Sequence, residues 1–195
     1  MGRARSLIKI LLWSIRGCAT NNFYYKTEFL IKKNLHILVC LEQTALLDTV
    51  KQELSFLESH FHLKYVSAAK EAEEYLNSIL DEETSLSLLI CGIAFSGVDG
   101  VDLIVRLHEN SHTADARKIL VCEKLDSEKI LRALNHGGLD YCQQAPWQAG
   151  DFAKTVIKML SECVVRFVEH PLPYAFVLDE GIILHHLRNQ NPPPI

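Results

Sequence analysis

The chain has 195 residues, 48% hydrophobic and 23% charged, with 9 Gly and 6 Pro. That composition excludes a disordered, collagenous or low-complexity protein, and the length fits one domain with extensions. Charge is uneven: residues 1–35 carry seven Lys/Arg against Glu28 alone, while residues 36–195 carry 13 basic and 23 acidic groups, so the main body is a poor partner for a nucleic-acid backbone.

The basic leader, residues 1–34, sets Arg3, Arg5, Lys9 and Arg16 around the apolar pieces Leu7-Ile8 and Ile10-Leu11-Leu12-Trp13. Lys9 interrupts the unbroken apolar stretch that a secretory signal needs. Arg16 likewise spoils the lipoprotein-like Ile15-Arg16-Gly17-Cys18. A loosely ordered extension, a start codon placed too early, an organelle transit peptide and a membrane-surface helix all stay open for this segment. No run in the chain reaches the roughly 18 apolar residues of a membrane span.

From residue 35 short apolar strands alternate with helical periods. Strands are expected at 36–40, 61–66, 86–91, 119–122 and 139–143. The third, Leu86 to Cys91, is a continuous apolar run of the kind buried on both sides of a parallel sheet. Between them, Leu46, Leu47, Val50, Leu54 and Leu57 keep helical spacing, as do Ala72, Tyr75, Leu76 and Ile79. Further helices are expected at 101–108, 127–135 and 151–168, the fourth stopped by Gly137-Gly138. Five β-α units in order predict an α/β fold with a doubly wound, five-stranded parallel sheet over residues 35–168. Residues 169–195 read as a linker, a β-hairpin built from Ala175 to Leu184 around Asp179-Glu180-Gly181, and a Pro-rich tail.

Six cysteines first suggest disulfides, but no C-x-x-C pair exists, and Cys40, Cys91, Cys122 and Cys142 each follow apolar strand residues. They read as reduced core thiols in a cytoplasmic-type compartment. Their common place at strand ends also allows a redox or metal-sensing cluster. His108-Glu109-Asn110-Ser111-His112 matches the H-E-x-x-H zinc pattern, yet Asn110 and Ser111 favour ending the helix that the chemistry requires. It leaves a small metal- or thiol-dependent hydrolase as an alternative.

Three further stretches point in one direction. The run Ile93 to Gly100, ending Gly97-Val98-Asp99-Gly100, resembles the loop after strand three of two-component response regulator receiver domains. The passage Ala133-Leu134-Asn135-His136-Gly137-Gly138-Leu139-Asp140-Tyr141 resembles that family's entry into strand five, and Ala145-Pro146-Trp147 stands where it has Lys-Pro-Phe. The resemblance implies a CheY-like, flavodoxin-like fold over residues 35–168. It also implies a pocket with an acidic pair for Mg²⁺, an Asp phosphoacceptor, a Thr or Ser and a Lys.

Here those positions fall on Leu41-Glu42, Gly92, Cys122 and Ala145, with Gln144 adjacent under a one-residue shift; Tyr141 matches the switch aromatic. One carboxylate does not assemble a hard-cation site, and glycine offers no nucleophile. The expectation is a pseudo-receiver that acts by protein binding or homodimerisation, without catalysis, metal or cofactor. The alternatives within this class are a phosphorelay receiver with an unconventional acceptor and a ligand-sensing domain using the emptied pocket. The family's partner surface is the fourth helix, fifth strand and fifth helix. Val164, Val165, Phe167 and Val168 on the last of these exceed one core stripe and are candidate interface residues.

Overall fold

The computed structural model describes residues 34–79, 84–95 and 97–190. The leader, except Asn34, and the Pro-rich tail lie outside them, so expectations for those segments, and for Cys18, go no further. Strands β1 (Asn34–Cys40), β2 (His62–Val66), β3 (Thr84–Gly92), β4 (Arg117–Cys122) and β5 (Tyr141–Gln144) form one sheet. Their order is β2-β1-β3-β4-β5, with every pair parallel. Helices α1 (Thr44–Leu54), α2 (Ala69–Ser78), α3 (Gly100–Glu109), α4 (Ser127–Gly137) and α5 (Asp151–Phe167) connect the strands or follow them. This is the doubly wound arrangement expected from the β-α alternation.

Strand alternation divides the core in two. Ile37, Val39, Leu88, Ile90, Ile119 and Val121 point to one layer, closed by α1 and α5 through Val50, Leu54, Phe152, Val156 and Leu160. Leu38, Cys40, Leu89, Cys91 and Leu120 point to the other, closed by α2, α3 and α4 through Leu76, Ile104 and Ala133. Because successive side chains in a strand face opposite ways, strands covered on both sides read as unbroken apolar runs.

Helix ends follow local chemistry. Asp99 accepts from Val101 N–H at 2.9 Å and opens α3; Asp126 accepts from Lys129 N–H at 3.2 Å and opens α4. Such caps satisfy amide donors that the first turn leaves without partners. Gly138, with φ +59°, ends α4 in the left-handed region that glycine adopts without a Cβ penalty.

The C-terminal hairpin is not formed. Residues Leu172–Phe176 make a 3-10 turn, and Glu180–Gln190 make a sixth helix, α6. The apolar run around Ile182-Ile183-Leu184 suggested a strand, but Asp179 accepts from Ile182 N–H at 3.1 Å as a helix start. Ile183 and Leu187, four residues apart, then share the face that joins the α1/α5 core. Leu178 and Ile183 are buried there, and Asp179 N–H donates to Ser161 Oγ on α5 at 2.9 Å. Burying that face stabilises more than an isolated hairpin would, since a lone hairpin is marginal in water.

Candidate functional site

In an open parallel sheet, chemistry gathers at the C-terminal strand ends, and there the expected receiver positions can be inspected one by one. Leu41 continues β1, with its N–H donating to Val66 O at 3.2 Å, and its side chain is buried in the α1/α5 layer. Glu42 follows it and is exposed. Gly92 ends β3. A Cβ built there would lie 3.5 Å from Leu41 Cδ2 and 3.2 Å from Ala94 O. Hydrocarbon and backbone therefore surround the space that a side chain at position 92 would enter. Its neighbours along the same row are Val121 on β4 and then Gln143 on β5. That row carries neither carboxylate nor ammonium.

Gly100 explains the adjoining loop. A Cβ at this residue would come within 1.8 Å of Gly92 O and 2.9 Å of Cys91 Sγ, so only glycine lets α3 start against the end of β3. Between them, Ala94–Phe95 and Val98–Asp99 pair as a two-residue antiparallel ribbon. Asp99 is a helix cap and ion-pair partner: its carboxylate lies 2.8 Å from Lys129 Nζ. Burial would push its pKa up, but hydrogen bonds from Lys129 and Val101 N–H outweigh that and hold it below the usual carboxylate range. Asp102 pairs with Arg132. Both carboxylates thus tie α3 to α4 and are not directed at Gly92.

Cys122 belongs to the opposite layer. Its Sγ is 3.7 Å from Cys142 Sγ, and Cys142 packs on the α2–α4 side. The structure therefore joins Leu41 with Gly92 and separates Cys122 from both. Gln144 is the register partner of Cys122, while Ala145 donates its N–H to Cys122 O at 2.8 Å. Both candidates for the family's Lys position accordingly sit beside the end of β4, one a neutral amide and the other a methyl group. Tyr141 is 40% exposed at the edge of the sheet. It borders an open cleft of about 560 Å³, lined also by Gln143, Trp147 and Asp151.

One residue that organises this end was not visible in the sequence pattern. Glu53 on α1 accepts from Trp147 Nε1 at 3.1 Å, from Gly150 N–H at 3.3 Å and from Ala153 N–H at 3.3 Å. Gly150 opens α5 and has no side chain to cap it, so Glu53 supplies the cap across 100 residues of chain. No local motif could have announced it.

Other candidates disperse. The H-E-x-x-H stretch is cut where α3 ends: His108 and Glu109 are in the helix, Asn110 is extended, and His112 lies in the following turn. The two histidines do not share one helix face. Among the described residues, no group of three or more His, Cys, Asp or Glu is arranged to hold a metal ion.

The interface candidates on α5 need correction. Val164 is fully buried, and Val165 and Val168 pack on the same core as Tyr174, Val177, Ile183 and Leu187 of the C-terminal segment. Phe167 is half-buried under the Arg166 guanidinium, 4.8 Å from the ring centroid. The surplus apolar surface of α5 is the seat of that segment. Bare apolar side chains cluster on and beside α4, where Leu131 is 57% exposed, Leu125 53% and Leu134 50%, and Phe176 of the C-terminal turn is 66% exposed. The signal was present, since Ile130, Leu131, Ala133 and Leu134 make two stripes where one suffices for the core.

No family model matches the sequence, and no curated protein matches it. Solved structures do. One is the signal receiver domain of an HD domain-containing protein from Pseudomonas fluorescens Pf-5, with TM-score 0.57, 23% identity, 68% of this chain covered and 98% of the other. A CheY-like response regulator receiver domain protein from Methanospirillum hungatei JF-1 gives TM-score 0.54 and 25% identity over 66% of this chain and 94% of the other. The beryllofluoride-activated NtrC4 receiver domain dimer gives 0.53 and 18% over 66% and 98%. The fold is that of the response regulator receiver domain, CheY-like in its sheet order and helix layers. No helix among the described residues is long and apolar enough to cross a membrane.

Proposed function

We propose that this chain is a pseudo-receiver: a signal-transduction module with the receiver fold that acts by protein association, without phosphoryl transfer at position 92 and without catalysis. The observation that carries the reading is Gly92 itself, with Leu41 Cδ2 3.5 Å from where its Cβ would be. Phosphoryl transfer requires a positioned nucleophile and a cation to balance the phosphate charge. Residue 92 carries no carboxylate, and the two positions after β1 hold one acid, Glu42, and a buried leucine, Leu41. The free thiols among the described residues fit a reducing, cytoplasmic-type setting.

For the associating surface we favour a second copy of this chain, docked through α4 and the β5 edge. Leu131, Leu134 and Tyr141 support it as large exposed apolar residues, and the beryllofluoride-activated NtrC4 receiver domain is a dimer in solution. Incubating the full chain with acetyl phosphate and Mg²⁺ should leave its intact mass unchanged. A labile adduct of one phosphoryl group would overturn the reading and establish an unconventional acceptor. Light scattering over a concentration series should show a dimer; a monomer throughout would move the surface to a different protein partner.

A further inference from the structure

Five thiols lie among the described residues, and four of them are sealed: Cys40 and Cys91 are 0% exposed, Cys122 4% and Cys163 5%. Cys142 is the fifth and is partly open to solvent, on the four-residue edge strand β5. It touches Cys122, Sγ to Sγ 3.7 Å, which is van der Waals contact with no atom between. We infer that Cys122 and Cys142 form an oxidisable dithiol, a modification site that closes to an intramolecular disulfide when the chain meets a small-molecule disulfide such as oxidised glutathione.

The chemistry balances within the named reactants. The Cys142 thiolate attacks one sulfur of glutathione disulfide; a protein–glutathione S–S bond forms and one glutathione thiolate leaves, taking a proton. Cys122 then loses its proton to solvent and attacks the Cys142 sulfur, expelling the second glutathione. Two cysteine thiols are oxidised, and one disulfide is reduced to two thiols.

Geometry sets the terms of closure. Cys122 is opposite Gln144 and Cys142 opposite Leu120, so the pair is diagonal by two residues. Reaching a bond of about 2.05 Å requires β5 to shift along β4. β5 can do so because it pairs on one side only. The bond would fasten the end of β4, and hence the loop bearing Leu125, to the strand bearing Tyr141. Cys40 and Cys91 are direct register partners, yet complete burial denies them a reagent. Burial, followed by the neighbouring Cys122 thiol, pushes Cys142 up to about 12, so the attacking thiolate is scarce at neutral pH. The reaction should therefore speed up about tenfold per pH unit between roughly pH 7 and 9.

The test treats the native full chain with oxidised glutathione and maps tryptic peptides without reduction. The expected product joins peptide 119–124 to peptide 133–154, with no net glutathione retained and Cys40 and Cys91 still reduced. Cys122→Ser should stop at a glutathione adduct on Cys142, and Cys142→Ser should leave Cys122 unreacted; melting curves check that both remain folded. A wild-type chain that keeps all these thiols reduced, or that stays glutathionylated on Cys142, would overturn the inference. So would attack on Cys122 in Cys142→Ser.

Discussion

Helices α4 and α5 flank the same edge strand, and the resemblance implies a partner surface that includes both, with the candidate interface residues Val164, Val165, Phe167 and Val168 on α5. In the structure the exposed apolar side chains of this pair lie on α4 and not on α5. The apolar excess of α5 is covered by the chain's own 3-10 turn and α6, where Leu178 and Ile183 are buried. By contrast α4 presents Leu131 and Leu134 to solvent while Ala133 faces the core. The two helices are also fixed by different means. The start of α5 is capped by Glu53 from a distant helix, and α4 is held to α3 by the Lys129–Asp99 and Arg132–Asp102 pairs. An apolar face thus becomes an interface only if nothing in its own chain reaches it.

The largest effect that would break this comparison is expected at Ile183. Truncating it to Ala should cost about 2–5 kcal/mol in urea unfolding, because it is 0% exposed in the core beside α5. A loss below about 0.5 kcal/mol would mean that the C-terminal segment is not part of the fold. Glu53→Ala should cost roughly 1–2 kcal/mol and alter the fluorescence of Trp147, since three hydrogen bonds at the start of α5 disappear. Unchanged fluorescence and stability would show that α5 needs no borrowed cap.

Asp99 sharpens the α4 side. Its carboxyl is held below its ordinary range by Lys129 and Val101 N–H against the opposing pull of burial. A depressed folded-state pKa gives stability that is present above the unfolded value of about 3.9 and is lost as pH falls through the lower folded value. Asp99→Asn keeps the cap but loses the ion pair with Lys129, so it should cost up to about 1 kcal/mol at neutral pH, shrinking toward zero in acid. A cost that stays constant from pH 7 to 3 would contradict the ion-pair account. The smallest change in stability belongs to Leu131→Ser with Leu134→Ser, within about 0.5 kcal/mol of wild type because exposed side chains leave no cavity. The same pair should abolish self-association in light scattering, and a dimer that survives it would locate the surface elsewhere.

The layer order, all five strands and the helices between them follow from local periodicity. Strand bounds differ by two residues or fewer, as with β5, expected from 139 and found at Tyr141–Gln144. The close pairing of Gly92 with the loop after it was partly legible, since the Asp99-Gly100 pair follows at short range, and Gly100 is required by the 1.8 Å approach to Gly92 O. The packing of Leu41 against Gly92 was not legible. Nor were Glu53 as a cap, Cys122 against Cys142, or the helical tail that covers Val164 and Val165. Each depends on residues brought together across the chain, such as Leu41 with Gly92 and Trp147 with Glu53. Hydrophobic period states which face of an element must be buried, a property of a few adjacent residues. What buries it is decided by the packing of all the elements at once, and at α5 that choice went to the chain's own C-terminal segment.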